Sequence, residues 1–265
     1  MIRKNSLREK LNANEPSLGT RLHIPYPNLI EVLGYTGQYD YIEILAEYTA
    51  FDLRDIENQA RAINLFPSMS GMIKLGQGLR DFLTAKALDS GIQNILFADI
   101  RTVEDAKECI ALVRGDSPDV GGIRSAGMGR DSGIVMQNGS PEYLQSTRDS
   151  VVALMIEKKG AVENLEEILS LPGVDMIHVG RTNYSMSIGR VGQANHPEIK
   201  EIEAHVIKTS LNRGIQPRAE IGNAEGAEYY LNMGVRHFSV GTDMRVLYDW
   251  YKDNGEKLHD IFKGI

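Results

Sequence analysis

The sequence has few features that would support a disulfide framework, a histidine metal site or a membrane anchor. Its 265 residues include a single cysteine, Cys109, and six histidines that occur in neither H-x-H nor H-E-x-x-H spacing. The longest apolar run, at 151–156, is far too short to cross a bilayer, and no apolar segment follows the basic N-terminus. We therefore expect a cytoplasmic protein with no membrane partner.

The charge balance also argues against a nucleic-acid partner. The formal net charge is −7, from 36 acidic and 29 basic side chains, whereas binding to phosphate backbones requires a basic face. The content of 42% hydrophobic and 25% charged residues is typical of a globular protein with a full core. In the absence of a linker, a low-complexity segment or a long repeat, we expect a single domain over 1–265.

Eight short apolar segments alternate with segments of helical periodicity. The predicted strands are 18–23, 41–46, 71–75, 94–100, 151–157, 176–181, 216–221 and 237–242. Strand, helix and strand in succession require parallel strands, and eight such units are typical of a (β/α)8 TIM barrel. This α/β barrel is the predicted fold.

Several helix boundaries can be read from their chemistry. Thr102 and Asp105 form a capping-box pattern, the helix predicted over 198–213 stops at Gly214, and the one over 224–233 stops at Gly234. Residues 160–169 predict a further helix. The final segment, 244–262, predicts a terminal helix that carries Trp250 and Tyr251 and packs on the barrel or on a neighbouring subunit.

One connection breaks the regular alternation. About fifty residues separate the fourth predicted strand from the fifth, and the stretch 121–133 is rich in glycine. Loops of this length commonly serve a functional site, which is the interpretation we favour over a surface excursion without a role. The stretch contains neither a G-x-G-x-x-G motif after a strand nor a Walker lysine, so we expect no nucleotide cofactor.

Polar residues follow two of the buried segments. Glu157 closes the run that begins at Leu154, and Arg181, Thr182 and Asn183 follow the run that begins at Met176. Barrel enzymes carry their catalytic residues at the carboxyl ends of the strands. The two segments therefore predict a shared site.

Motifs along most of the chain resemble one enzyme family. They include 18–20, Glu47, 88–91, 122–124, 156–157, 163–169, 173–175, 179–189, 196–198 and 240–243. In this combination the sequence resembles the metal-dependent pyruvate aldolases of the 4-hydroxy-2-oxoheptanedioate (HpcH/HpaI) type, within the phosphoenolpyruvate/pyruvate barrel superfamily. The resemblance covers about residues 18–247.

The resemblance implies a divalent metal cofactor. In that family Mg²⁺, Mn²⁺ or Co²⁺ is held by a Glu and an Asp, chelates pyruvate, and stabilises its enolate as a Lewis acid. Glu157 matches the Glu, but Asn183 stands where the family has Asp. A carboxamide oxygen can bind a hard cation, yet one negative charge is lost, so weakened metal binding is expected.

Three other positions depart from the family pattern. Tyr48 replaces the acid/base histidine, Lys74 replaces an arginine that holds the substrate, and Arg181 adds a cation beside the metal position. A tyrosine with its usual pKa of about 10 is a poor base at neutral pH but can donate a proton. Because both replacements next to the anion keep or add positive charge, we expect Lys74 and Arg181 to bind a carboxylate and to supply part of the charge of the metal.

The resemblance further implies a role for Asp89, near a neighbouring subunit's site, and for Arg124 in the long loop. It also implies a homo-oligomer, a hexamer or another assembly of dimers, in which terminal helices are exchanged. The predicted catalytic residues are Tyr48, Lys74, Arg181 and Asp89, and the predicted substrate-binding residues are Lys74, Arg124, Gly180, Arg181 and Thr182.

These observations predict a carbon–carbon lyase that acts on a 2-oxo carboxylic acid through a pyruvate enolate. Three alternatives remain open: a β-keto acid decarboxylase, a barrel that binds a carboxylate without catalysis, and a Schiff-base enzyme that uses Lys74. His23 and His178 are candidate replacement bases, although a histidine within a strand, such as His178, is more often part of the core.

Overall fold

The computed structural model describes residues 2–265. Eight parallel strands close into a barrel in sequence order, and the last strand pairs with the first. The strands are β1 (Ser17–Leu22), β2 (Tyr41–Ile44), β3 (Ser70–Leu75), β4 (Asn94–Phe97), β5 (Val152–Ile156), β6 (Met176–Val179), β7 (Gln216–Ile221) and β8 (His237–Thr242). The predicted (β/α)8 barrel is confirmed.

Helices surround the barrel and close its lower end. They are α1 (Ser6–Asn12), α2 (Pro27–Tyr35), α3 (Leu53–Ile63), α4 (Arg80–Ser90), α5 (Val103–Val113), α6 (Pro141–Asp149), α7 (Lys159–Glu163), α8 (Leu165–Ser170), α9 (Arg181–Ser187), α10 (Pro197–Asn212), α11 (Ala227–Leu231) and α12 (Asp243–Phe262). The capping box at Thr102 and Asp105 is confirmed, and Gly214 follows α10 with a φ of +75°. The helix predicted over 160–169 is divided into α7 and α8.

Some predicted strands end too late. The fourth ends at Phe97, and Asp99 just beyond it has a φ of +59°, a left-handed conformation that turns the chain out of the sheet. The sixth ends at Val179, because its pairing with β7 stops at His178 and the backbone enters α9 at Arg181. A short 3₁₀ turn occupies the first part of the helix predicted over 224–233.

Side chains alternate between the barrel interior and the layer beneath the helices. Along β2 and β3, Ile42 and Ile73 belong to the outer core, whereas Tyr41 and Met72 belong to an inner cluster. Leu7 of α1, which is fully buried, joins this inner cluster. The N-terminal helix therefore plugs the barrel.

The next inward positions toward the carboxyl ends of the strands are charged or polar. They follow the period of two that a strand imposes: Glu43 after Tyr41, Lys74 after Met72, His178 after Met176, and Glu220 after Arg218. The barrel interior is thus apolar in its lower part, near α1, and ionic in its upper part, near the carboxyl ends of the strands. This division places the functional groups at one end of the barrel.

The long helix α12 is weakly anchored within one chain. Asp243 is its buried residue, and Trp250 and Tyr251 are 62% and 66% exposed. The terminal helix was predicted, but it does not pack its aromatic side chains on its own barrel. No helix within residues 2–265 combines the length and the apolar composition that a membrane span requires.

The plug formed by α1 can be tested with Leu7→Ala. Truncation of a fully buried leucine leaves a cavity, and we expect the free energy of unfolding to fall by about 2–5 kcal/mol. Leu53→Ala is the matched control, because Leu53 is 43% exposed and its loss should cost less than about 0.5 kcal/mol. Urea denaturation followed by circular dichroism measures both. Equal effects would show that α1 does not fill the barrel in solution.

Candidate functional site

A pocket of about 480 Å³ opens at the carboxyl ends of the strands. It brings together seven of the nine predicted site residues: Tyr48, Lys74, Glu157, Gly180, Arg181, Thr182 and Asn183. The remaining wall contains residues that the sequence prediction missed, chiefly Arg21 and Glu220, together with His178. The predicted meeting of the two strand ends is therefore observed.

Glu157 is the most constrained of these side chains. It directly follows β5 and is fully buried. Its Oε1 accepts the backbone N–H of Asp99 at 2.9 Å, and its Oε2 accepts Asn183 Nδ2 at 2.7 Å. The left-handed conformation of Asp99 presents this N–H to the carboxylate. No lysine, arginine or histidine nitrogen in the described part of the chain lies within 4 Å of it.

Gly180 makes room for this carboxylate. A Cβ at this position would lie 2.5 Å from Glu157 Oε2 and 2.7 Å from Glu157 Cβ, closer than van der Waals contact allows. The turn between β6 and α9 can therefore pass next to Glu157 only with a glycine at its start. The first turn of α9 then carries Asn183 to hydrogen-bonding distance.

Lys74 forms a compact group with two residues that follow β2. Its Nζ lies 2.6 Å from Tyr48 Oη, 2.9 Å from Glu47 Oε2 and 4.5 Å from the centre of the Tyr48 ring. Burial would lower the pKa of Lys74, but Tyr48 and Glu47 outweigh it and raise that pKa. A lysine that holds its proton is a poor Schiff-base nucleophile, so this environment favours the ionic role over the covalent one.

Tyr48 remains a protonated phenol at neutral pH. Burial raises its pKa above the usual 10, and the opposing effect of the Lys74 ammonium does not cancel this rise. The hydroxyl can therefore give a proton and is unsuited to take one. This environment is consistent with the predicted donor role.

Arg181 reaches the pocket from the start of α9. Its Nε lies 3.4 Å from Glu203 Oε1, and its Nη1 lies 3.4 Å from Asn195 Oδ1. Tyr230 donates a hydrogen bond of 3.0 Å to Glu203, which fixes the carboxylate that orients the guanidinium. Glu203 escaped sequence analysis because it lies in the middle of α10, far from any strand end.

A buried ionic network fills the upper barrel interior beside these groups. Arg218, which is fully buried, donates to Glu43, and its Nη2 lies 3.6 Å from Glu220 Oε1. Arg21 donates to Glu220 Oε2. The sequence does contain a signal for this network, because charged residues alternate with apolar ones inside four otherwise buried strands.

The two candidate histidine bases have different surroundings. The His23 backbone N–H donates to the Asp243 carboxylate at 3.0 Å, and its ring stacks on Tyr48 with centroids 6.3 Å apart. His23 is not among the residues that line the pocket, whereas His178 is. Burial lowers the pKa of His178 to about 4 in spite of the nearby Glu220, so its ring is neutral and only weakly basic.

Asp89 and Arg124 lie elsewhere in the chain. Arg124 donates to Asp89 at 2.8 Å and to Asp131 at 2.5 Å, and neither residue lines the pocket that contains Glu157. The glycine-rich connection thus does not contribute to the site of its own chain. The roles that the resemblance gives Asp89 and Arg124 across a subunit boundary stay predictions.

The residues at Glu157 fit a divalent cation of modest affinity. Within residues 2–265 there is no group of three or more His, Cys, Asp or Glu side chains suited to a metal. However, Mg²⁺ is often held by one or two protein oxygens together with water and substrate. A buried carboxylate without a cationic partner, next to the amide of Asn183, offers such oxygens.

Comparisons with known proteins identify the family of this chain. A family model described as HpcH/HpaI aldolase/citrate lyase matches residues 47–249. The 5-keto-4-deoxy-D-glucarate aldolase of Klebsiella pneumoniae subsp. pneumoniae is 27% identical over 98% of this chain and 97% of its own length. The 4-hydroxy-2-oxo-heptane-1,7-dioate aldolase of Shigella sonnei is 29% identical over 92% of this chain and 91% of its own.

Solved structures show the same architecture. An HpcH/HpaI aldolase/citrate lyase family protein from Burkholderia cenocepacia superposes with a TM-score of 0.87 at 28% identity, covering 97% of this chain and all of that one. A citrate synthase at 22% identity superposes with a TM-score of 0.85 and supports the fold alone. The chain belongs to the HpcH/HpaI aldolase/citrate lyase family, and it is a carbon–carbon lyase of the aldolase type.

Proposed function

We propose that the bond this lyase cleaves or forms lies next to a 2-oxo carboxylate, and that the pocket stabilises a pyruvate enolate. One observation carries the proposal. Three cations of the pocket each have a carboxylate partner, in the pairs Lys74 with Glu47, Arg181 with Glu203 and Arg21 with Glu220. Glu157 alone among the acidic residues of this pocket is buried without a cation, and such a charge requires compensation.

A divalent cation would provide this compensation, with Glu157 and Asn183 as its protein ligands. The Asn183 amide, which donates to Glu157 through Nδ2, would turn to present its oxygen to the ion. When bound, it supplies Lewis acidity to the oxo and carboxylate oxygens of the substrate. The names of the two relatives describe substrates with a keto or oxo group, which agrees with this assignment. Mg²⁺, Mn²⁺ and Co²⁺ are the candidate ions.

The residues of the chain itself bind the substrate and hold its proton. Lys74 and Arg181 are cations fixed by carboxylates before the substrate arrives, so they can bind its carboxylate with little reorganisation. Gly180 and Thr182 line the space between them and contribute to substrate binding. Tyr48, whose Oη lies 2.6 Å from Lys74 Nζ, holds a phenolic proton and donates it to the enolate carbon after bond cleavage.

Glu157→Gln tests the uncompensated charge. In chelator-treated protein we expect this variant to melt at or above the wild-type temperature, because an unpaired buried charge has been removed. Mn²⁺ with pyruvate should raise the melting temperature of the wild type and leave the variant unchanged, since only a bound ligand stabilises the folded state. Differential scanning fluorimetry measures both effects.

Glu163→Gln is the matched control for this experiment, because its side chain is 60% exposed and lies outside the pocket. It should respond to Mn²⁺ and pyruvate as the wild type does. A metal-dependent rise that persists in Glu157→Gln would contradict the proposed ligand.

Asn183→Asp tests the second ligand. The carboxylate restores a negative charge near Glu157, so we expect Mn²⁺ affinity, measured by isothermal titration calorimetry, to increase at least about tenfold. The same change should lower the melting temperature of chelator-treated protein. It removes the hydrogen bond of 2.7 Å that Asn183 donates to Glu157 and places a second carboxylate beside the first. Unchanged affinity would place the cation elsewhere.

Tyr48→Phe tests the proton donor. We expect kcat for pyruvate release from a 4-hydroxy-2-oxo acid to fall by about 10²–10⁴, with a smaller change in KM. Tyr35→Phe, at a side chain that is 80% exposed, should leave both parameters unchanged. Assay of carbon dioxide released from oxaloacetate in parallel distinguishes the decarboxylase alternative. Full activity of Tyr48→Phe would exclude the donor role.

A further inference from the structure

A second group of polar atoms on the pocket wall has no role in the steps described above. His178 follows the inward period of β6, and Glu220 and Arg21 project from β7 and β1. All three line the same pocket as Glu157 and Asn183. Any substrate whose 2-oxo acid part lies against Glu157 therefore has these three residues within the same enclosure.

The Glu220 carboxylate is ionised and held in place. Burial would raise its pKa, but His178, which is protonated in the acidic range where Glu220 titrates, together with Arg21 and Arg218, outweighs this effect and lowers that pKa to about 2. Arg21 donates to Oε2. Oε1 is buried and accepts no hydrogen bond, and the nearest Arg218 nitrogen is 3.6 Å away.

The hydrogen bonds of His178 determine which ring nitrogen carries the proton. Its Nδ1 lies 3.2 Å from the backbone carbonyl oxygen of Arg218. A carbonyl oxygen can only accept, so Nδ1 is the protonated nitrogen. Because burial lowers the pKa of His178 to about 4, the ring is neutral near pH 7, and Nε2 has a free lone pair.

Two acceptors therefore face each other. His178 Nε2 and Glu220 Oε1 are 3.6 Å apart, and Oε1 is buried with no hydrogen-bond donor among residues 2–265. A buried acceptor without a donor, such as Glu220 Oε1, is costly, and native structures supply a donor from protein, water or ligand. Both atoms belong to residues of the substrate pocket, so the missing donor can come from the substrate.

We propose that His178 and Glu220 form a subsite that accepts a hydrogen bond from a hydroxyl group of the substrate. The inference rests on the lyase function proposed above and specifies its second substrate as a hydroxylated aldehyde rather than an unsubstituted aliphatic one. A hydroxyl that donates to His178 Nε2 also lies within reach of Glu220, since 3.6 Å separates the two acceptors. An aliphatic aldehyde would leave both without a donor.

The experiment compares the addition of pyruvate to D-glyceraldehyde and to propanal. Glyceraldehyde is the more electrophilic aldehyde, so its reactivity alone favours it. We therefore compare, between the wild type and the variants, the ratio of kcat/KM for glyceraldehyde to kcat/KM for propanal. In His178→Phe, which keeps a ring and removes the acceptor, we expect this ratio to fall about ten- to a hundredfold, the effect of a hydrogen bond to a charged or buried group. Glu220→Gln supplies an internal donor to Nε2 and should also lower the ratio.

His237→Phe is the matched control. His237 is a buried histidine whose pKa is likewise lowered to about 4 by burial, but it lies at the start of β8, bonded to Ser17 at the opposite end of the barrel. It should fold as His178→Phe does and keep the wild-type ratio. A ratio unchanged in His178→Phe would overturn the subsite while the lyase function stands.

A binding measurement decides the subsite independently of turnover. Calorimetry compares D-glycerate with propanoate, which differ by two hydroxyls and cannot react. Glycerate should bind the wild type at least tenfold more tightly, and this advantage should disappear in His178→Phe. If neither aldehyde is condensed, the proposed lyase substrates are wrong, and the glycerate ratio still decides the subsite. Equal binding of the two acids would overturn it.

Discussion

The burial of charged side chains in the upper barrel interior, away from water, is the constraint on which the rest of the site depends. Charges buried there must be paired or must bind a ligand, because taking an ion out of water costs several kcal/mol. Arg218 is paired with Glu43, and Arg21 with Glu220. The pairs are mutually dependent, so the network holds its members in one arrangement. Glu157 is the exception, because hydrogen bonds from Asp99 and Asn183, but no cationic side chain of the described residues, compensate its charge.

The pairing also explains the cationic replacements at Lys74 and Arg181. Each keeps its charge because a carboxylate stands beside it, Glu47 for the former and Glu203 for the latter. A cation paired with a carboxylate cannot fully replace a divalent ion, but it can orient a bound carboxylate without moving. Lys74 and Arg181 are therefore both held by ion pairs on the wall of the same pocket.

The pocket has two parts that offer different chemical groups to a substrate, and this difference affects substrate specificity. One part offers the cations Lys74 and Arg181, which suit the carboxylate of an oxo acid. The part formed by His178 and Glu220 offers acceptors and suits a hydroxyl donor. The described part of the chain supplies no donor to Glu220 Oε1, so a substrate hydroxyl can fill this role. Selectivity for a hydroxylated aldehyde then follows from this hydrogen bond rather than from pocket shape.

The sequence by itself determined the barrel and the strand ends that meet in the pocket. Eight apolar segments separated by helical ones admit little other than parallel strands in sequence order, and Glu157, Gly180 and Asn183 follow two of them directly. Only the tertiary structure determined which charged side chains form ion pairs. Glu203 lies more than twenty residues from Arg181, and Arg218 is farther still from Glu43. Closure of the barrel brings such residues together. Which residues pair then depends on which inward-facing positions lie at the same height in the barrel, and the sequence near each residue does not show this.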